Sequence, residues 1–264
     1  MVWFLALLFY LPAWRLKAKS QNLKSNLLTE RQTKILYSAV QEYIKTAKPI
    51  ASVSLVKKCK LGFSPATIRN EFAELEDRGF LEQPHTSGGR VPTSKAYRYF
   101  VDGLLLSIKK ERQKLDNLEK MVKLFVNSEH FNRRLVKSLA NASNNMAMGW
   151  INNDADDEFH FAGIKNLLRA PEFESIEYSA KVGDILDRID DEIEDFVREE
   201  KDFSENAKIY IGNEMPIRGA KDFSLIISSI PSRWGDLRIA IFGPQRMDYE
   251  RNLQLLNSVK RLLE

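Results

Sequence analysis

A chain of 264 residues and 30.5 kDa has room for two modest domains, and 44% hydrophobic with 29% charged residues excludes wholesale disorder. One cysteine, Cys59, excludes an internal disulfide framework and suits a reducing cytosol, and three scattered histidines (His85, His130, His160) argue against a metal cluster. The net charge of +4 hides an asymmetry: 12 Lys/Arg face 7 Asp/Glu over residues 29–100, but 6 face 18 over 151–205, so only the front of the chain suits a polyanion.

Residues 2–14, VWFLALLFYLPAW, are almost wholly apolar, yet the run is shorter than the ~20 residues that span a bilayer. Its basic residues follow it, which is the wrong order for a signal peptide. Residues 1–26 are therefore expected to be an apolar and basic extension outside the fold, with no membrane role; a membrane anchor is the alternative.

The first helix is expected over 29–46, with Thr29 as N-cap and one stripe of Ile35, Leu36, Ala39, Val40, Tyr43 and Ile44. A short second helix, about 51–58, buries Leu55 and Val56. Ser64 followed by Pro65 then signals a third helix, because a proline at the first position lacks only an N–H that would be unpaired there. Ile68, Phe72 and Leu75 fall on its buried face, so Ala66, Arg69, Asn70 and Ala73 point away, with Thr67 at the edge. Gly79 ends it. Phe80 to Gln83 and Arg90 to Thr93 read as strands around a turn with Gly88 and Gly89 at the tip, two glycines expected to take positive φ. Three helices and a hairpin make residues 27–100 a winged helix-turn-helix.

A long linker helix is expected over 101–128. Val101, Ile108, Leu115 and Val122 repeat every seven residues, as do Leu104, Leu118 and Phe125 with Glu111 interrupting the series, and this suits either a symmetry mate or a connector lying on its own domain. Residues 127–160 are polar and Asn-rich and read as a weakly structured junction. Ile185, Leu186, Ile189, Ile193, Phe196 and Val197 then make one amphipathic helix with an acidic outer face. A strand (208–211), a hairpin (223–230 and 237–242) and a closing helix (248–263) complete an α+β pattern.

In a helix-turn-helix the front of the second motif helix enters the major groove. Arg69 suits guanine O6 and N7, and Asn70 suits adenine. Ser64 and Thr67 with the free N–H groups of the first turn suit phosphates, and Ala66 shares the DNA-facing surface. Lys57 and Lys58 add charge beside them, and His85, Thr86 and Arg90 lie where a wing touches backbone or minor groove. The plain alternative is a capped helix with a solvated arginine, and the adjoining basic hairpin tells against it. TSGGR lacks the spacing of a nucleotide loop. The acidic run 187–200 is read as a solvated face. Cys59, between Lys58 and Lys60, has either a depressed pKa or the role of a small half-buried filler. No nucleophile–base pair is visible, so neither an enzyme nor a cofactor is expected.

The stretches LTERQTKILYSAVQEYI and SPATIRNEFAELEDRGFLEQPHTSGGRVPTSKAYRYFVD resemble the bacterial heat-inducible transcription repressor family HrcA, and GIKNLLRAPEF, KIYIGNE and FGPQRMDY resemble its C-terminal signatures. The resemblance covers roughly 27–126 and 160–264. It implies a winged helix joined to a GAF-like domain, reduced here and assigned to residues 129–264. It also implies homodimers on an inverted-repeat operator (CIRCE) upstream of chaperone genes, release on heat stress, and assistance by the chaperonin GroEL. Carried over by position, the DNA contacts are expected on Ser64 to Asn70 and His85 to Arg90. The segment 127–160 is shorter than the family's, which carries an inserted dimerisation element there. The expected function is a cytoplasmic repressor. Its rivals are a regulator whose C-terminal domain senses a small molecule and a membrane-tethered interaction protein.

Overall fold

The computed structural model describes residues 28–59, 61–84, 88–107, 119–120, 122–123, 126, 130–152, 158–171, 176–199, 207–232 and 235–263. The chain divides into two compact units, 1–109 and 110–264.

In the first unit, helix α1 (Glu30–Thr46) starts from a closed capping box. Thr29 Oγ1 accepts from the Gln32 N–H at 3.2 Å, and Gln32 Oε1 accepts from the Thr29 N–H at 3.1 Å. Its stripe of Ile35, Leu36, Ala39 and Val40 is fully buried. Helices α2 (Ser52–Cys59) and α3 (Pro65–Asp77) follow, and α3 contributes Ile68, Phe72 and Leu75 to the same core. Each such apolar side chain stabilises the fold by about 1.5–3 kcal/mol. Gly79 takes φ 71°, a conformation that costs an L side chain, and this turns the chain into the wing.

The wing strands are short. β1 (Leu81–Glu82) pairs antiparallel with β2 (Val91–Pro92), and a bridge between Ile50 and Arg90 extends the ladder toward α2. Helix α4 (Ser94–Ser107) closes the unit over Ala96, Tyr97, Phe100, Val101 and Leu104. Val101 and Leu104 are 0% and 2% exposed, so these two heptad positions are already buried within one chain. Ile108, Leu115, Leu118 and Phe125 lie outside the described residues.

The second unit holds helix α5 (Phe131–Ser143), strands β3 (Met146–Asn152) and β4 (Glu158–Ala162), and helices α6 (Ile164–Leu168), α7 (Ile176–Leu186) and α8 (Ile189–Glu199). Strands β5 (Lys208–Ile211), β6 (Phe223–Ser232) and β7 (Gly235–Pro244) and helix α9 (Tyr249–Leu263) complete it. The strands form one antiparallel sheet in the order β4-β3-β7-β6-β5. On one face Met146, Met148, Trp150, Phe223, Leu225, Ile227, Ala240 and Phe242 meet Leu167, Val182, Ile185, Ile189 and Ile193 of α6–α8. On the other face α5 lies against β3, where a Cβ on Gly149 would stand 2.3 Å from Asn132 Oδ1, and Tyr249 of α9 shares a 2.8 Å hydroxyl contact with Ser224.

Two sequence expectations are corrected here. Residues 131–152 and 158–162 form a helix and two strands, one of them interior to the sheet, where a weak junction was expected over 127–160. Phe131, Leu135, Val136, Leu139 and Ala140 keep helical spacing and are buried, and β3 is covered on both faces, so MAMGWIN shows no alternation to read. The single acidic helix is two helices, broken at Asp187–Arg188, where Arg188 Nη2 reaches the Arg218 carbonyl at 3.2 Å.

Candidate nucleic-acid interface

Ser64 caps α3 as its sequence requires: Oγ accepts from the Thr67 N–H at 3.1 Å, and Thr67 Oγ1 lies 2.9 Å from it. Ser64, Ala66, Arg69, Asn70 and Ala73 are exposed, and Thr67 is half-buried beside the cap. Among the described residues neither Arg69 nor Asn70 has a hydrogen-bond or ion-pair partner, so a fork of five donors and an amide stand free on one side of the helix. Lys57, exposed near the end of α2, is likewise without a partner among the described residues, whereas Lys58 is ion-paired with Glu42. The first acid of α3 is Glu71, so its front half carries the positive helix terminus and a cation with no carboxylate in sequence to oppose them.

The back half is acidic, and its glutamates are spent on neighbours. Glu71, 3% exposed, takes Arg31 Nη2 of α1 at 2.5 Å. Glu74 Oε2 accepts from Gln32 Nε2 at 2.6 Å, and Gln32 Oε1 accepts from Arg78 Nη1 at 3.2 Å. Glu76 Oε2 accepts from Arg90 Nε at 2.7 Å. These partners stand 14 to 46 residues apart, and no spacing rule in the sequence announces them.

Arg90 is therefore half-buried at the root of the wing, while His85 and Thr86 lie outside the described residues. The glycine expectation is corrected at Gly89, whose φ is not positive. Its need is for space, because a Cβ there would sit 2.6 Å from the Ile50 backbone. Cys59 is half-buried; burial, with Glu42 adding to it, pushes its thiol up despite Lys45 and Lys58, which supports the filler reading. Among the described residues no group of three metal-ligating side chains occurs, and no helix is long and apolar enough to cross a membrane.

Two family models match the chain. One, described as the winged helix-turn-helix transcription repressor, HrcA DNA-binding, takes residues 27–102, and the other, the HrcA protein C terminal domain, takes 103–253. The chain belongs to the HrcA family. Among curated relatives, the heat-inducible transcription repressor HrcA of Carboxydothermus hydrogenoformans is 48% identical over 102 residues, 39% of this chain and 30% of that protein. The repressor of the same name from Pelotomaculum thermopropionicum is 51% identical over 92 residues, 35% of this chain and 25% of the relative. The matched stretch thus spans less than a third of either HrcA relative. A crystal structure at 2.2 Å of a protein described as hypothetical aligns with a TM-score of 0.75 at 20% identity, over 89% of this chain and 98% of the other, a likeness of fold. In the HrcA C-terminal match, Gly163 opens α6 at φ 95°, where a Cβ would stand 2.5 Å from the Asn145 carbonyl oxygen.

Proposed function

We propose that this chain is a cytoplasmic transcriptional repressor of the heat-inducible HrcA type, which occupies an inverted-repeat operator as a homodimer and leaves it on heat stress. The observation that carries the reading is the front half of α3: capped, basic, and with Arg69 and Asn70 free of partners among the described residues. Residues 27–100 form the DNA-binding domain in this reading, 101–128 the linker, and 129–264 a reduced GAF-like domain, which an antiparallel sheet covered by helices on both faces supports. Ser64 and Thr67 face phosphates, Ala66 lies on the same exposed face, Arg69 and Asn70 face base edges, and Lys57 with Lys58 thickens the positive field. Repression is then by occupancy, with no catalytic step. A GroEL-type chaperonin would assist the folded state, and a fold stabilised by a few kcal/mol can be lost over a narrow rise in temperature.

The test is a salt-titrated binding assay of the full chain, with and without chaperonin, on an inverted-repeat duplex and a shuffled one. Preference for the repeat by roughly 10³-fold or more at moderate salt, lost on warming, is the expected result. Equal retention of both duplexes at every salt concentration would sink the reading.

A further inference from the structure

We propose that Arg90 and Glu76 form a latch that sets the wing against α3, and that Arg90 shapes the DNA surface without itself gripping a phosphate. The proposal rests on the DNA-binding reading and deepens it, because the sequence alone places Arg90 among the DNA contacts.

Three observations converge on the wing root. Arg90 Nε lies 2.7 Å from Glu76 Oε2, and the two side chains are only 21% and 32% exposed. The Arg90 main chain is fixed as well: its N–H donates to the Ile50 carbonyl at 2.9 Å, and its own carbonyl accepts from the Ile50 N–H at 2.8 Å. Gly89 lets this strand press on residue 50, because any Cβ would meet the Ile50 backbone at 2.6 Å. The wing is thereby held at two points, by backbone to the segment before α2 and by charge to the recognition helix.

The acids of α3 supply the reason for such a latch. Glu71 and Glu74 each fix a residue of α1, and Glu76 fixes the wing. If Arg90 left Glu76 for a phosphate, it would strand a half-buried carboxylate beside a polyanion, which costs more than the phosphate contact returns. The pair therefore stays closed when DNA arrives. Arg90 is a positioning residue, and Glu76 belongs to the same device.

The two roles predict opposite signs for one substitution. With a latch, Glu76→Gln weakens binding to the inverted-repeat duplex by about tenfold and leaves the slope of log affinity against log salt unchanged. If Arg90 grips a phosphate, Glu76→Gln releases it and tightens binding, and Arg90→Met lowers that slope by about one. Exchanging the charges, Glu76→Arg with Arg90→Glu, is expected to recover wild-type affinity to within about threefold, a rescue that a direct phosphate contact forbids. Circular dichroism melts of each variant establish that it is folded at the assay temperature. If Arg90→Met does not fold, the sign of the Glu76→Gln change decides alone. Tighter binding by Glu76→Gln overturns the latch and leaves the DNA reading standing. A wild-type chain that retains neither duplex overturns the DNA reading, and the latch with it.

Discussion

Arg69 and Lys57 are both exposed cations of the first unit, and chemistry separates what each can read. A guanidinium forks onto two acceptors of one guanine, so Arg69→Ala is expected to cost about 1–3 kcal/mol on the operator and much less on a shuffled duplex. Lys57 lies in the last turn of α2 and not on α3, so its ammonium is assigned to phosphates. Lys57→Ala should weaken both duplexes alike and reduce the salt slope by about one. Parallel titrations of the two variants check the assignment, and matching behaviour on both duplexes would show that Arg69 reads no base. Gly103 is a glycine within α4, where alanine ordinarily adds about 1 kcal/mol. Here a Cβ would stand 1.8 Å from the Tyr37 hydroxyl, on a ring held edge-on by Phe100 at 5.1 Å and Tyr99 at 6.1 Å. Gly103→Ala should therefore destabilise the fold by about 1–3 kcal/mol, with partial recovery on adding Tyr37→Phe. Thermal unfolding reads both, and a Gly103→Ala protein that melts above wild type refutes the crowding.

At the scale of elements, sequence signals were legible where the chain is punctuated. The Thr29 cap, Ser64–Pro65 and Gly79 each mark a boundary by a local mechanism, and α1, α3 and the wing begin and end at those residues. The segment after residue 130 is different. The asparagines of 127–160 suggest a loose junction, yet two of them are connectors, as is Asn166 just beyond. Asn132 Nδ2 donates to the Gly149 carbonyl at 3.1 Å and Asn145 Nδ2 to the Ser143 carbonyl at 2.7 Å. Asn166 Nδ2 donates to the Ala140 and Asn145 carbonyls, both at 2.9 Å. Composition counts asparagines without knowing which carbonyls await them, so tertiary pairing was invisible. The same holds for the candidate interface. Its free side could be read from the stripe on α3, but the glutamate partners could not. Asn166→Ala tests the connector role: it removes the amide donor from the Asn145 carbonyl before β3 and from the Ala140 carbonyl in the last turn of α5, which Ser143 Oγ also reaches at 3.5 Å, and should cost about 1–3 kcal/mol in urea unfolding. A change within ~0.5 kcal/mol would mean that solvent replaces the amide without loss.

For the whole molecule, the shape of the proposed site sets a requirement on assembly. One α3 presents one short reading face, and the specific contacts of a single such helix give modest affinity. An inverted repeat presents the same half-element twice, related by a two-fold axis, so a symmetric pair of chains meets it with two identical faces. Linking the two half-sites in one complex converts the second docking into an intramolecular step, with avidity gains of about 10²–10⁴ and no new kind of contact. Val101 and Leu104, the first two heptad positions, are already buried within one chain, so the proposed pairing would draw on other surfaces. The expected outcome is a complex holding two chains per inverted-repeat duplex, bound about 10²-fold or more tightly than a duplex carrying one half-element. Sedimentation of the complex together with anisotropy titrations on both duplexes measures it. One chain per duplex, bound equally well to the half-element, would leave the two-fold operator without a physical role.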